Sequence, residues 1–192
     1  MAEQLTKEEI LDAAEQVLRR FGPEKTSVVD VARALNISHG TIYRHYPSKA
    51  SLREAVAERW LHSIIQPLKK VFKKECSSTE RLLLWVETLI GIKHSLVKED
   101  PELFSMYTSL AEESVDVITA HISELVGQII PIVKEGMANG EFKSADPETA
   151  AKGIFIATAK FHHPAHAKEW ASPDIDAEFR MVWDLILSGI IK

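Results

Sequence analysis

The chain has 192 residues, 45% apolar and 27% charged, with a net charge of −5, an ordinary balance for a globular protein of one large domain or a small domain joined to a larger one. The acidic balance disfavours a protein that coats polyanions through a broad basic surface, and the single cysteine, Cys76, excludes an intrachain disulfide and reads as an incidental residue at a helix end. Apolar runs such as LLLWV and IFIA are too short to span a bilayer, and the polar start MAEQLTKEE argues against a secretory signal.

Helical patterns follow one another along the chain, and no segment sustains strand-like alternation. The first helix is predicted over Thr6–Phe21. Thr6 and Glu9 form a capping box, Ile10, Ala13, Ala14, Val17, Leu18 and Phe21 make an apolar face, and Gly22-Pro23 stops it. A second helix runs from Ser27 to about Leu35 with Val28, Val31, Ala32 and Leu35 inward. Asn36 takes the turn in the left-handed conformation that asparagine tolerates, and Ile37 plugs that turn. Ser38 caps a third helix, with Ile42 and Tyr46 inward, that ends at Pro47. Inward residues at 28, 32, 37 and 42 suit two helices crossing steeply in a helix-turn-helix, about 27–46.

Ser48 caps the fourth helix, where Leu52, Val56, Trp60, Ile64 and Leu68 recur every four residues and Pro67 predicts a kink near Ser63. A fifth, Thr79–Lys98, is apolar on most sides, as a central buried helix would be. Asp100-Pro101-Glu102 opens a sixth carrying Leu103, Phe104, Tyr107 and Leu110. A seventh, about Ser114–Asn139, carries Ile118, Ile122, Leu125, Ile129 and Val133, holds Pro131 and ends at Gly140. Asp146-Pro147-Glu148 opens an eighth to about His162, and Ser172-Pro173-Asp174 a last one to Ile191. The expectation is an all-α protein of nine helices. Residues 4–64 form a three-helix head with the start of helix four, and residues 65–192 form the body.

Charge is distributed unevenly. Residues 1–50 carry seven Lys/Arg and seven Asp/Glu, so the rest of the chain holds the whole excess of acid. Between Asp30 and Glu54 there is no acid, while Arg33, Arg44, Lys49 and Arg53 all fall there. Residues 26–49, TSVVDVARALNISHGTIYRHYPSK, offer no nucleophile, metal set or phosphate-cradling glycine loop. They offer a short helix opening on small and polar side chains, with a local positive face. An α-helix of this kind fits the DNA major groove, where base edges are distinguishable.

Ile10, Ala13, Ala14, Phe21, Gly22, Thr26, Val31 and Ala32, then Ile37-Ser38-His39-Gly40-Thr41-Ile42-Tyr43, then His45-Tyr46-Pro47-Ser48-Lys49 and Leu52, resemble the TetR family of bacterial transcriptional regulators. The likeness covers about residues 6–60. Asn36 stands where glycine is usual and Tyr46 where phenylalanine is usual; the remaining two-thirds agrees only in length and helix boundaries. The resemblance implies a homodimeric repressor whose first three helices read an operator, whose fourth couples head to body, and whose body binds a small inducer.

His39 is the candidate for base-edge contact, after Ser38 and before Gly40, which permits close backbone approach. Thr41 suits a phosphate or a thymine methyl, Tyr43 and His45 match the family's phosphate-contacting pair, and Arg44 suits a phosphate or a guanine edge. Lys49 is a cation in the first turn of a helix, beside a positive dipole end, which a nearby phosphate explains. Thr26 or Ser27 would donate to the backbone across the groove. The partners expected are double-stranded DNA carrying a palindromic operator, with half-sites about 34–36 Å apart or a multiple of that, a second copy of the chain, and a small-molecule effector. The dimer is expected through Ile154, Phe155, Thr158 and Phe161 on helix eight and Phe179, Val182, Leu185, Ile186 and Ile190 on the last helix, with Gly153, Ala157 and Gly189 allowing close approach. Effector-pocket candidates are Trp60, Ile64, Trp85, Leu89, Tyr107, Ile122, Leu125, Phe161 and His162.

The rival signal is His162, His163 and His166 near Glu169. A 162/166 spacing would suit a metal on one helix, but Pro164 interrupts it, so these residues read as a loop following helix eight, with Trp170 anchoring it. No nucleophile–base spacing, Gly-x-Ser-x-Gly or phosphate loop points to an enzyme. The expectation is a cytoplasmic protein with no catalytic residues, metal, cofactor or membrane partner. The alternatives are a constitutive regulator without effector, or a helical enzyme using the histidine cluster.

Overall fold

A computed structural model describes residues 5–192 except Ser114, with the side chains of 110–115 also outside the description. Gln4, Leu110 and the Ser114 start of the seventh helix therefore lie outside the described residues. Ten α-helices are seen among the described residues, with short 3-10 turns at Lys70–Lys73, Pro164–His166 and Glu169–Ala171. The one strand-like feature described is an isolated antiparallel bridge, Phe142 to Ile191. The chain divides into two compact units, one taking residues up to His62 with Lys98–Ile118, the other Ser63–Val97 with Thr119–Lys192. The sequence pattern places residues 98–118 in the body.

In the first unit, α1 (Lys7–Phe21) starts at the Thr6/Glu9 capping box and buries Ile10, Leu11, Ala13, Ala14, Val17 and Leu18. Phe21 differs from expectation. It is 48% exposed, in the last turn beside the Gly22 cap, with the Arg20 guanidinium 5.2 Å from its ring centre. Helix α2 (Val28–Ala34) is capped by Ser27, whose hydroxyl accepts from the Asp30 N–H. Asn36 makes the turn with φ 53°, the only positive φ outside glycine among the described residues. Helix α3 (His39–Tyr43) is one turn long and buries Ile42 completely. It stops before Arg44 and His45, earlier than expected.

Helix α4 (Lys49–Lys69) begins where the Ser48 hydroxyl accepts from the Ser51 N–H at 3.0 Å; its residues to His62 belong to this unit. Arg59 holds α4 to α1 through Glu8, Asp12 and Glu15. Helix α6 (Pro101–Glu113) joins through the rings of Phe104 and Tyr107 packed around Trp60, with centroids 6.5 and 5.6 Å away. The Arg19 guanidinium adds three contacts to the Asp100 carboxylate, at 3.0, 3.2 and 3.0 Å.

The second unit is built around α5 (Ser78–Glu99), which buries Leu82, Trp85, Val86 and Leu89. The Glu141 carboxylate accepts from the backbone N–H groups of Ser78 and Thr79 at 3.0 and 2.9 Å, satisfying donors the helix start leaves free. Helix α7 (Val115–Ala138) buries Leu125, Ile129, Ile132 and Val133. Its Asp116–Ala138 stretch has a mean hydropathy of 1.3, long and apolar enough to cross a membrane by length and composition, against the expectation that no segment qualifies. The difference arises because its apolar residues are spread through the helix rather than run together. Gly136 of α7 faces the ring of Phe142 so closely that a Cβ there would overlap it.

The expected eighth helix is broken. Helix α8 (Pro147–Ala157), capped by Asp146, ends at Thr158, and a single turn, α9 (Ala159–His162), follows. The Thr158 hydroxyl bonds back to Ile154 O at 3.0 Å, a local competitor for the helix backbone. Helix α10 (Ile175–Ile190) starts two residues later than the Ser172-Pro173 signal, because Ser172 caps the preceding turn by accepting from Asp174 N–H.

Candidate nucleic-acid interface and ligand groove

On the first unit, Ser38, His39, Gly40, Tyr43, Arg44 and Lys49 are exposed, and Thr41 and His45 are half-buried. The unit fixes their directions. Ile42 and Tyr46 are buried beneath α3, and the His39 and Tyr43 rings meet edge to face at 6.3 Å. The Ser38 hydroxyl accepts from the Thr41 N–H and lies 3.0 Å from the Thr41 hydroxyl. Thr26 and Ser27 are less available. The Thr26 hydroxyl donates to Gly22 O at 2.8 Å, and the Ser27 hydroxyl donates to the Asp30 carboxylate. The Ser27 bond holds the Asp30 carboxyl below its usual range, and Arg33 pairs with it at 2.9 Å. Lys49 is the first residue of α4, whose first turn contains no acid.

On the second unit, α8 and α10 pack together. Of the residues expected in a dimer interface, Ile154, Thr158 and Phe161 are buried within the protomer instead. Phe161 meets Phe179 edge to face at 5.3 Å, so that stripe closes the unit's own core. Phe155, Phe179, Val182, Ile186 and Ile190 are half-buried, and Leu185 is 74% exposed. On α8 and α10, Ile156 at 60% and Met181 at 65% are exposed apolar side chains outside the expected set. Gly153, Ala157 and Gly189 are exposed near them in sequence.

The nine effector-pocket candidates separate. Trp60 and Tyr107 belong to the first unit's aromatic cluster. Ile64, Trp85, Leu89, Leu125 and Phe161 are buried packing residues of the second. Ile122 and His162 share a groove of about 590 Å³ between α7 and the α8–α9 segment. Its walls include Val126, Ile130, Phe155, Ile156 and Ala159, with Glu148, Lys152 and His163 as charged or titratable members.

Beside this groove lies a basic cluster. Lys93 of α5 is buried, with Nζ 3.5 Å from Nε2 of buried His121 on α7. Burial pushes the Lys93 ammonium down to about 7. His121 and His162 are both pushed down to about 3, by burial first and then by the Lys93 charge. Neither Lys93 nor His121 was singled out from the sequence, since one lysine and one histidine in two long helices carry no spacing signal. The other histidines diverge. His163 Nδ1 accepts from Ala165 N–H, and His166 Nδ1 meets Glu169 at 2.6 Å. No group of three metal-ligating side chains is found among the described residues.

Residues 10–56 match the family model described as bacterial regulatory proteins, tetR family, and residues 78–183 match the tetracyclin repressor-like C-terminal domain. The fatty acid metabolism regulator protein of Bacillus subtilis is 22% identical over 186 residues, covering 95% of this chain and 94% of its own length. Two solved structures share the fold. The FadR regulator of Bacillus subtilis in complex with stearoyl-CoA has a TM-score of 0.68 at 23% identity, covering 96% of this chain and 99% of that one. SmeT, repressor of the Stenotrophomonas maltophilia multidrug efflux pump SmeDEF, has a TM-score of 0.67 at 20% identity, covering 98% and 92%.

Proposed function

The chain belongs to the TetR family and is a DNA-binding transcriptional regulator, and from that premise we infer that it is a homodimeric repressor released from a palindromic operator when a small molecule binds its second unit. The observation that carries the reading is the surface of α3. His39, Gly40 and Tyr43 are exposed on a turn of helix anchored by buried Ile42 and Tyr46, followed by exposed Arg44 and Lys49. In this reading His39 meets base edges, and Tyr43, Arg44, His45 and Lys49 fix the register on phosphates. Thr26 and Ser27 contribute to the backbone side only by exchanging their internal bonds.

One such head contacts few base pairs, and a two-fold dimer doubles the site and makes it palindromic. The exposed apolar surface of Ile156, Met181 and Leu185, with Gly153, Ala157 and Gly189, supports a pairing through α8 and α10. A ligand with differential affinity for the two states of the protein would shift it off the operator. The stearoyl-CoA complex of the Bacillus subtilis neighbour makes acyl-CoA thioesters the first effectors to try. The protein works in the cytoplasm, beside the DNA it reads.

Selection of bound DNA from a random pool, followed by titration of the selected site with the full-length protein, tests this. A palindrome bound by two protomers is expected. His39→Ala should relax preference at one base pair per half-site by about 1–3 kcal/mol. A selected site without two-fold symmetry, bound by one protomer, sinks the dimeric reading.

A further inference from the structure

Helix α2 has three kinds of face. Val28, Val31 and Ala32 are buried and hold it to the first unit. Asp30, Arg33 and Ala34 border a cleft whose other wall is Gln16, Val17 and Arg20 of α1, so that edge looks towards α1. At about 100° per residue, Val29 is turned about 100° from Asp30 and about 140° from Ala34, away from that cleft. It is 51% exposed, the one large apolar side chain of α2 that faces outward. Valine ranks below alanine, leucine, lysine and glutamate in helix propensity, so at this place it serves neither the core nor the helix. Its surroundings tie it to the DNA-reading surface. Thr26 and Ser27, just before it, share a small apolar pocket with Lys49, the exposed cation that opens α4. Helix α2 also packs on α3, whose exposed residues lead through Arg44 to the same Lys49. The neighbouring acid does not oppose a polyanion here. The Asp30 carboxylate accepts from the Ser27 N–H and hydroxyl at 3.2 and 2.5 Å and from Arg33 at 2.9 Å. Among the groups that base pairs show in the major groove, the thymine methyl is the apolar one. A short branched side chain without polar atoms can tell bases apart there only by that methyl.

We propose that Val29 is a specificity-determining residue, packing its methyl groups on the C5-methyl of one thymine in each half-site, beside the bases met by α3. The assignment rests on the reading of α3 as the helix in the major groove, and it adds a second helix to the surface that discriminates sequence. DNA is the partner that a transcriptional regulator brings to this face, and contact with it takes the exposed valine out of water. Thr41 lies on α3 with its hydroxyl 3.0 Å from that of Ser38, so any methyl it touches belongs to a different base.

The test uses the full-length protein and the operator it selects from a random pool. Each thymine of one half-site is replaced in turn by deoxyuridine, which lacks only the methyl group. At one position the replacement should weaken wild-type binding about fourfold, the factor for one methyl group left in water. Val29→Ala, present in both protomers, should weaken binding to the unmodified operator on the order of tenfold. In that variant the deoxyuridine loss at the one position should vanish, while losses elsewhere stay. Val29→Thr, similar in shape with a hydroxyl for one methyl, should fall between. Thr41→Ser should leave the loss at that position as it is. A thermal midpoint of Val29→Ala at or above that of the wild type shows that the variant is folded, since alanine is the better helix former. Deoxyuridine losses identical in wild type and Val29→Ala at every position would overturn the assignment. So would an operator with no thymine whose methyl matters. Weakening by Val29→Ala that is uniform across sequences, with every deoxyuridine loss retained, would set Val29 against the sugar–phosphate backbone and overturn the base contact. His39→Ala that leaves the ranking of sequences unchanged, with the Val29 coupling intact, removes the reading of α3 and upholds this contact.

Discussion

Lys49 and Lys93 sit in the two units at positions that folding alone does not favour, and their surroundings differ in kind. Lys49 opens α4, at the positive end of the helix dipole, in a first turn without an acid. It is exposed, so water and salt screen most of the penalty. Lys93 lies in mid-helix in the interior, where burial drives its ammonium down to about 7. A polyanion met at the surface needs charges that are already solvated and can exchange counterions. The contrast between the units is therefore one of solvent access, and each lysine bears a stability cost scaled to its dielectric surroundings.

The largest expected effect concerns whether the two units work through a second copy of the chain. Leu185→Asp puts a carboxylate on the exposed face of α10, and two-fold pairing would set like charges close together, at a penalty of several kcal/mol. Sedimentation should show a monomer, and operator affinity should fall on the order of 100-fold or more. A dimer persisting with full affinity would place the interface elsewhere.

Lys93→Met sharpens the comparison from the buried side. The folded-state value is depressed below that of the unfolded chain, so between about pH 7 and 10.5 the unfolded chain holds more protons. Wild-type stability therefore rises with pH across that window relative to the variant. The variant should be more stable by roughly a few kcal/mol at pH 7 and below, and the gap should close towards pH 10. Thermal midpoints of both proteins, read as a difference so that other groups cancel, check the sign. A variant less stable than wild type at pH 7 would mean that Lys93 is a structural cation. Gly136→Ala probes the same unit without touching charge. The new methyl meets the Phe142 ring, so a loss of about 1–3 kcal/mol in denaturant unfolding is expected, with operator affinity unchanged for the protein that remains folded.

The head was legible in the sequence because its signals are local. Thr6 with Glu9, Asn36, Ser38 and Ser48 each fix a boundary within four residues, and the structure has every one of those caps or turns. Lys49 stood out for the same reason, as a cation at a helix start. The body hides its features because they are assembled from distant segments. Lys93 and His121 meet across 28 residues of sequence. Whether Ile154 or Ile156 faces outward depends on which stripe of α8 the rest of the unit covers, and α8 is apolar on both sides. The break at Thr158 was invisible because Gly153-Ile-Phe-Ile-Ala157 reads as uninterrupted helix, and only the hydroxyl's return to Ile154 O marks the end.

The smallest effect is the most specific to the exposed lysine. Lys49→Gln keeps a flexible polar side chain, shorter than lysine, and removes its charge. If Lys49 contacts a phosphate, a dimer loses two such contacts, and the slope of log affinity against log salt should shrink by about 1.8. The loss should be uniform across operator variants, because a phosphate carries no base identity. His39→Ala should behave in the opposite way, changing the ranking of sequences and leaving the salt slope alone. The same Lys49→Gln substitution removes a cation from the positive end of α4, so stability should rise by about 0.3–1 kcal/mol at low ionic strength and by less at high salt. Affinity and stability would then move in opposite directions at Lys49, and the stability gain would be salt-dependent there and pH-dependent at Lys93. A gain at Lys49 that survives high salt would remove the distinction between a screened surface penalty and a buried one.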